Sequence, residues 1–183
     1  MVTSTAISTK DRILATAAEL FAERGFSSAS LQDVADRLGI TKAALYYHFD
    51  SKDEILLTVL RPYLEAADEF LDRHSADQDP GLLLAEYLDL LLEFRTALDV
   101  IAFDRSVLNH PEIGEISHRQ TLRLRQLLAG EAASMERGVA ASAALGAVRA
   151  AAALTRNSSD PAVRDVVLRA AMAALDSADP SGD

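Results

Sequence analysis

The sequence predicts an all-α protein of about nine helices, with a small helical head at the N-terminus and a larger helical body behind it. Apolar residues recur at spacings of three and four along most of the chain, which is the period of an amphipathic helix. No segment alternates apolar and polar residues over the length of a strand. Only 5 Pro and 8 Gly occur in 183 residues, so few positions interrupt the helical patterns.

The composition restricts both the compartment and the chemistry. The chain has no cysteine, which excludes disulfides and thiolate metal sites and fits a reducing compartment. Residues 1–8 carry no charge and do not form a secretory signal. The alanine-rich stretch near residue 145 contains Arg149 as well as Ser and Gly, so it does not predict a membrane span. We therefore expect a cytoplasmic protein with no membrane partner.

The stretch from Ser30 to Lys52 predicts two short helices joined by a tight turn. Ser30 is followed three residues later by Asp33, the pattern of a helix N-cap with its reciprocal acidic partner. Gly39 ends this helix because glycine adopts the left-handed conformation without steric cost, and Thr41 begins the second helix. Such a pair is a helix-turn-helix, whose second helix enters the DNA major groove. The predicted buried residues are Leu31, Val34, Ala35 and Leu38 in the first helix, and Ala44, Leu45 and Phe49 in the second.

The remaining helices follow from their own start and stop signals. A first helix spans Thr9–Arg24 and ends at Gly25, and a fourth opens at Ser51 with Glu54 as its capping partner. Its apolar pattern continues past Pro62, which predicts a kink within one helix. We hypothesise that this kink acts as a hinge where head and body meet; a fixed bend without a role is the alternative. Further helices are predicted over residues 82–98, 99–110, 112–128 and 134–154, and a ninth begins at Asp160-Pro161.

The sequence from residue 45 onward is more specific than the helix spacing. The segments LYYHF at residues 45–49 and SKDEIL at residues 51–56 closely resemble the head of TetR-family transcriptional regulators. The preceding residues, from Ile13 through Phe21, Gly25 and Phe26 to Ser30, resemble it too. The resemblance covers about residues 9–57. It implies a DNA-binding domain at residues 1–50 and a helical regulatory and dimerisation domain at 51–176. The composition of residues 177–183 predicts a disordered tail.

Eight residues are candidates for DNA contacts. Thr41 and Lys42 lie at the N-terminal end of the second helix, where side chains reach base edges, and Ala43 can contact a thymine methyl. The resemblance assigns phosphate contacts to Tyr46 and Lys52, and such contacts fix register rather than sequence. For the two tyrosines of the helix, packing between head and body is the alternative. The remaining candidates are Ser30, Tyr47 and His48. Ser30 can cap the helix and also donate a hydrogen bond from its hydroxyl to a DNA phosphate. Whether Tyr47 and His48 contact bases or the DNA backbone stays open.

The net charge of −10 argues against a nucleic-acid partner unless the charge is unevenly distributed. Residues 1–61 contain seven basic and eight acidic residues, a net charge of −1. The rest of the chain therefore carries 11 basic and 20 acidic residues, a net charge of −9. Because phosphate binding requires a local basic face rather than a basic protein, the nearly neutral head remains compatible with DNA.

In the family that the chain resembles, the body holds a ligand that changes the spacing of the two heads. An apolar pocket with a few polar groups is the expected form of such a site. Each candidate may equally be ordinary core. The candidates are Tyr63, Phe70, Tyr87, Leu91, Phe94, Phe103, Leu108 and Leu122 as lining, with Arg95, Asn109, His110 and His118 as polar groups.

Small residues in the last two helices predict a homodimer built as a four-helix interface. The ninth helix is apolar on nearly all sides, so two of its faces must pack against other helices. Two DNA half-sites also require two DNA-binding domains. An internal helix pair is the alternative. The predicted interface residues are Ala144, Ala147, Val148, Ala151, Val163, Val167, Ala170, Ala171 and Ala174.

No catalytic or cofactor motif accompanies these features. His110 and His118, with Glu112 and Glu115 nearby, lack the spacing of a metal site, and no phosphate loop or nucleophile elbow occurs. We therefore predict no enzyme, no metal and no cofactor. The expected protein is a DNA-binding dimer, a repressor relieved by a small apolar or amphipathic effector. The alternatives are the same fold binding DNA without an effector, and a helical interaction module that has lost DNA binding.

Overall fold

The computed structural model describes residues 8–154 and 160–178, and within these ranges the chain forms nine α-helices and one 3₁₀ helix. No strand occurs in the described ranges, so the all-α prediction is confirmed there. Residues 179–183 of the predicted tail lie outside the description. The α-helices are α1 (Thr9–Arg24), α2 (Leu31–Leu38), α3 (Lys42–Tyr46), α4 (Lys52–Arg73), α5 (Pro80–Glu93), α6 (Arg95–Phe103), α7 (Pro111–Ala129), α8 (Met135–Leu154) and α9 (Pro161–Asp176), and the 3₁₀ helix spans Arg105–Asn109.

Side-chain caps fix the first helices where the sequence predicts them. Ser8 and Asp11 form a complete capping box at α1, and Ser30 and Asp33 form another at α2. At α4 only half of the predicted box is present. The Ser51 hydroxyl accepts the Glu54 N–H at 3.0 Å, whereas the Glu54 carboxylate accepts the N–H of Asp50 instead of reaching back to the cap.

The predicted helices over residues 82–98 and 99–110 are wrong in their boundaries. α5 starts two residues earlier, since the Asp79 carboxylate caps the N–H groups of Gly81 and Leu82 with Pro80 in the first turn. It ends at Phe94, whose backbone (φ −100, ψ 38) leaves the helical region. α6 then follows and gives way at Asp104 to the 3₁₀ helix. No glycine or proline marks the break at Phe94, which is why the apolar pattern did not reveal it.

α4 is one helix with Pro62 inside it, as predicted. Proline has no N–H to donate to the carbonyl of Thr58, so one helical hydrogen bond is missing at this position. The Pro62 side chain is exposed. The hinge role of Pro62 stays a prediction.

The chain divides into two compact units. The first consists of the described residues up to Tyr63 together with Thr96–Gly114, and the second of Leu64–Arg95 and the described residues from Glu115 onward. α4 and α7 therefore each contribute to both units. In the first unit the largest fully buried side chains are Ile13, Leu20, Phe21, Leu45, Phe49, Ile55, Leu56, Leu60 and Ile113.

The second unit has a core formed by α5, α8 and α9, which contact one another. Leu84, Leu91, Ala144 and Ala171 are among its most deeply buried residues. α8 is long and apolar enough to cross a bilayer by length and composition. It nevertheless packs one face against α5 and α9, as a core helix does, and carries Arg149 in its second half.

Candidate nucleic-acid interface

The helix-turn-helix is held together by a buried anchor and a left-handed turn. Leu45 of α3 and Phe49 just after it are 0% and 1% exposed, so they fix α3 from beneath. Gly39 has φ 68 and ψ 32, and an added Cβ would meet no atom within 4 Å. Glycine is required there by the backbone conformation and not by space. The N–H of Ile40 donates to the carbonyl of Ala35 at 3.0 Å and closes the turn.

Anchoring one side of α3 leaves the other side open to solvent. Thr41 caps the helix by accepting the N–H of Ala44 at 3.1 Å. Tyr46 is 46% exposed and Tyr47 is 86% exposed. Lys42 is exposed as well, with its Nζ 5.7 Å from the centre of the Tyr46 ring. The exposed face of α3 therefore carries the predicted residues Thr41, Lys42, Ala43, Tyr46 and Tyr47, with half-buried His48 next to them.

Most of Tyr47 and nearly half of Tyr46 lie outside the core of the first unit. Tyr47 contacts the neighbouring His48 ring edge-on, with the ring centres 5.2 Å apart. A ring that is 86% exposed contributes little to a core. Exposed aromatic and basic side chains on the second helix of a helix-turn-helix are suited to contacts with base edges and phosphates.

Several other polar groups of the head are already engaged. Arg37 bonds to Glu23 at 2.8 Å, and this hydrogen bond lowers the pKa of the Glu23 carboxyl. Arg24 lies 3.5 Å from Asp33. The Ser30 hydroxyl donates to the Asp33 carboxylate, and this bond lowers the pKa of Asp33. A phosphate contact by Ser30 would have to replace that bond.

Lys52, expected on phosphate, is also engaged within the chain. Its Nζ donates to the carbonyl of Phe26 at 2.8 Å and to the carbonyl of Ala29 at 3.0 Å. The same ammonium lies 4.3 Å from the centre of the Phe26 ring. Two of its three N–H groups are therefore bonded to the α1–α2 loop, residues 25–30.

A second contact to this loop was not foreseen from the sequence. The Asp104 carboxylate accepts the backbone N–H of Ser27 at 2.7 Å and that of Ser106 at 3.0 Å. The hydroxyls of Ser27 and Ser106 are 2.7 Å apart. These hydrogen bonds lower the pKa of Asp104 far below its ordinary value. The Asp-x-Ser pattern at 104–106 signals a helix cap, but nothing in it points to a partner 77 residues away.

The predicted ligand residues are distributed over both units. Phe70 and Tyr87 come together in the second unit, with ring centres 5.9 Å apart, and both are buried. Phe103, in the first unit, is 55% exposed, which does not suit an apolar lining. Tyr63, Asn109 and His110 also belong to the first unit, whereas Leu91, Phe94, Arg95 and His118 belong to the second.

Polar side chains that the sequence did not single out surround the aromatic pair. Arg149 donates to the Tyr87 hydroxyl at 2.8 Å and to the Thr121 hydroxyl at 3.1 Å. The His74 ring stacks on Phe70 and bonds through its two nitrogens to the Phe70 carbonyl and the Glu86 carboxylate. Across residues 8–154 and 160–178, no group of three or more His, Asp or Glu is arranged to hold a metal ion.

The predicted interface residues differ in accessibility. Ala144, Val148, Val167 and Ala171 are buried within the single chain. Ala147, Ala151, Val163 and Ala174 are half-buried, and Ala170 is exposed. Ala170 belongs to an exposed stripe of small and apolar residues, formed by Val139, Ala143, Gly146 and Ala150 on α8 and by Val166, Ala170 and Ala173 on α9.

Comparison with known proteins identifies the head. Residues 13–59 match the family model for bacterial regulatory proteins of the tetR family. The head is therefore similar to that of bacterial regulatory proteins of the tetR family. The HTH-type transcriptional repressor KstR2 of Mycolicibacterium smegmatis is 41% identical over 58 residues, which are 32% of this chain and 28% of KstR2. The HTH-type transcriptional activator FasR of the same species is 39% identical over 56 residues, which are 31% of this chain and 26% of FasR.

These two sequence matches each cover about a third of this chain. The chain spans little more than a quarter of the length of either relative. The fold similarity extends further. A TetR-like transcriptional regulator from Rhodococcus sp. RHA1 superposes with a TM-score of 0.68 over 91% of this chain and 94% of its own, at 22% identity. The predicted fold, a helix-turn-helix head followed by a helical body, is therefore confirmed.

Proposed function

We propose that the protein is a sequence-specific DNA-binding transcriptional regulator that represses from a palindromic operator in the cytoplasm. The observation that carries the proposal is the exposed face of α3, where Lys42, Tyr46 and Tyr47 project from a helix anchored by Leu45. Lys42 serves base recognition and the Tyr46 hydroxyl donates to phosphate. The match of residues 13–59 to the tetR-family model supports DNA as the partner, and no enzymatic activity or cofactor is part of the proposal.

A homodimer follows because a palindromic operator has two half-sites and each half-site is bound by one DNA-binding domain. The exposed apolar stripe of α8 and α9 supports this arrangement, because small residues let two helix pairs approach closely. Gly146 lies in the middle of the stripe, and a Cβ added there would meet no atom of the same chain within 4 Å. A second copy of the chain would cover the stripe and complete a four-helix interface.

Release by a small apolar or amphipathic effector is the proposed mode of regulation. The ligand would favour a dimer whose recognition helices no longer match half-sites spaced by about 34 Å. The Phe70 and Tyr87 rings form an apolar cluster with Arg149 bonded to the Tyr87 hydroxyl, which is the composition expected of such a site. Binding of such compounds is tested by thermal shift. If no compound shifts the melting temperature and the protein still binds DNA, the alternative of the same fold binding DNA without an effector is favoured.

One observation favours a second candidate, a helical interaction module that does not bind DNA. Arg24 and Arg37 of the head are paired with acidic side chains, and Lys52 is bonded to carbonyls, so the basic face is small. The two candidates differ in salt dependence, because phosphate contacts give an affinity that falls steeply with salt.

The experiment that tests the proposal is selection of fragments from genomic DNA by the purified protein at moderate salt. Lys42→Ala and Tyr46→Phe are carried alongside. We expect a near-palindromic site, bound more weakly overall by Tyr46→Phe and with altered base preference by Lys42→Ala. A well-folded dimer that enriches no site would refute the proposed function.

A further inference from the structure

The α1–α2 loop is held from one side by the first residue of α4. The ammonium of Lys52 donates to two carbonyls of the loop, those of Phe26 and Ala29, and lies against the face of the Phe26 ring. Bonds from an ammonium to carbonyls are stronger than neutral ones, and a cation over an aromatic face adds to them. The last of these carbonyls belongs to the residue directly before Ser30, the cap of α2.

The same loop is held from the other side by the start of the 3₁₀ helix. Asp104 receives the Ser27 N–H at 2.7 Å, while its second oxygen receives the Ser106 N–H at 3.0 Å. One carboxylate therefore caps its own helix and fastens the loop. The pair of hydroxyls on Ser27 and Ser106 adds a third link at 2.7 Å.

The α1–α2 loop and residues 103–106 approach each other closely at Gly25. A Cβ added there would lie 3.3 Å from the Asp104 Oδ2 and 3.5 Å from the Phe103 ring. The loop backbone thus fits closely against Phe103 and Asp104, and a side chain at residue 25 would require the Asp104 carboxylate to shift by a few tenths of an ångström. The position of the α1–α2 loop determines the position of the start of α2. The turn to α3 follows at the end of α2, so α3 depends on the loop as well.

We infer that Lys52 and Asp104 are positioning residues, which hold the α1–α2 loop from both sides and thereby set the helix-turn-helix for DNA recognition. The inference rests on the proposed DNA-binding function. It also changes the role of Lys52, which the family resemblance assigns to a phosphate contact.

The test is the affinity of the full-length protein for its selected DNA site at several salt concentrations, for wild type, Lys52→Met and Asp104→Asn. Lys52→Met keeps the aliphatic stem and removes the charge. If Lys52 positions the loop, its replacement weakens binding about tenfold and leaves the dependence of log K on log salt unchanged. If Lys52 instead binds phosphate in both protomers, the substitution reduces that slope by about 1.8. Lys42→Met is the comparison variant, since it removes the same charge from the exposed face of α3 and should change base preference as well as affinity.

The direction in which Asp104→Asn changes the affinity for DNA distinguishes a positioning role from a purely electrostatic one. Removing a negative charge from a DNA-binding domain strengthens attraction to phosphate, whereas loosening the loop weakens binding. We expect weaker binding by about tenfold, together with faster amide exchange at Ser27. The matched control is Asp53→Asn, since Asp53 is exposed and in the same unit, and this variant should bind at least as well as wild type.

The outcomes distinguish this inference from the function on which it rests. A reduced salt slope for Lys52→Met, or unchanged or tighter binding by Asp104→Asn, overturns the inference while the wild type still binds. Wild-type protein that binds no site overturns the proposed function and the inference with it. Circular dichroism verifies that each variant is folded, and if Lys52→Met does not fold, Asp104→Asn decides the question.

Discussion

Gly25 and Gly39 both end helices of the head, but they are required for different reasons. Gly39 is in the ordinary left-handed region with open space around its α-carbon. Gly25 has φ 84 and ψ 147, close to a region that glycine alone populates, and it faces Asp104. The sequence predicts both as stops, yet it does not distinguish a turn requirement from a close contact.

We therefore predict that Gly25→Ala is more destabilising than Gly39→Ala. The Gly39 substitution should cost about 1 kcal/mol, the penalty of a left-handed non-glycine residue. The Gly25 substitution adds displacement of the Asp104 contact and should cost roughly 1–3 kcal/mol or more. Urea unfolding of the two variants measures the difference. Equal free energies of unfolding would show that the contact at Gly25 does not matter.

The pKa of Asp104 predicts a specific dependence of stability on pH. Its hydrogen bonds from Ser106 and Ser27 hold the pKa of the folded state below the ordinary value of 3.8. The ionised form thus stabilises the fold above that value, and this contribution is lost as the pH falls through the lower, folded-state pKa. Wild type should exceed Asp104→Asn in melting temperature at pH 7, and the gap should narrow below about pH 4. A gap that is constant from pH 7 to pH 2 would contradict the assignment.

At the scale of elements, local signals account for most of what the sequence predicted correctly. The starts of α1, α2 and α3 follow from capping side chains, and the ends of α1 and α2 follow from glycines. The end of α3 at Tyr46 has no such signal, and Phe49, predicted inside this helix, lies beyond it. The end of α5 at Phe94 has no such signal. Lys52 and Asp104 were missed as loop contacts for the same reason, since their partners lie 23 to 77 residues away in the sequence. Exposure on α3 was predictable because its anchors Leu45 and Phe49 define the opposite face.

Pro62 should reduce the stability of α4. Its side chain is exposed, so replacement by alanine removes no packing and restores an N–H for the carbonyl of Thr58. We expect Pro62→Ala to raise the free energy of unfolding by roughly 1–3 kcal/mol. Pro111→Ala is the matched control, since Pro111 is the first residue of α7, where the missing N–H costs nothing.

Denaturant unfolding measures both proline variants, and a less stable Pro62→Ala protein would contradict this account. The hinge hypothesis has a separate readout. If Pro62→Ala responds to an effector as wild type does, α4 does not act as a hinge at this position.

At the scale of the whole molecule, the exposed stripe of α8 and α9 determines the expected assembly. Ala150 lies in the stripe on α8, so a two-fold interface would bring two copies of this surface together. Ala150→Glu should place like charges in that interface and shift the protein to monomers in analytical ultracentrifugation. Ala132→Glu adds the same charge at an exposed position between α7 and α8 and should remain dimeric. Identical sedimentation of both variants and wild type would place the interface elsewhere.

The uneven charge of the molecule is consistent with selective rather than general binding to DNA. The head has a net charge of −1 and the rest of the chain −9, so non-specific attraction to phosphate should be weak. Affinity must then depend on contacts from the few exposed residues of α3. This expectation gives the account its most direct test.

The decisive measurement is the affinity of the wild-type protein for its selected duplex and for a scrambled duplex of the same composition at one physiological salt concentration. The account predicts that the selected site is bound more tightly by a factor on the order of 10³ or more. Equal affinity for the two duplexes would contradict the central claim that the exposed face of α3 reads sequence.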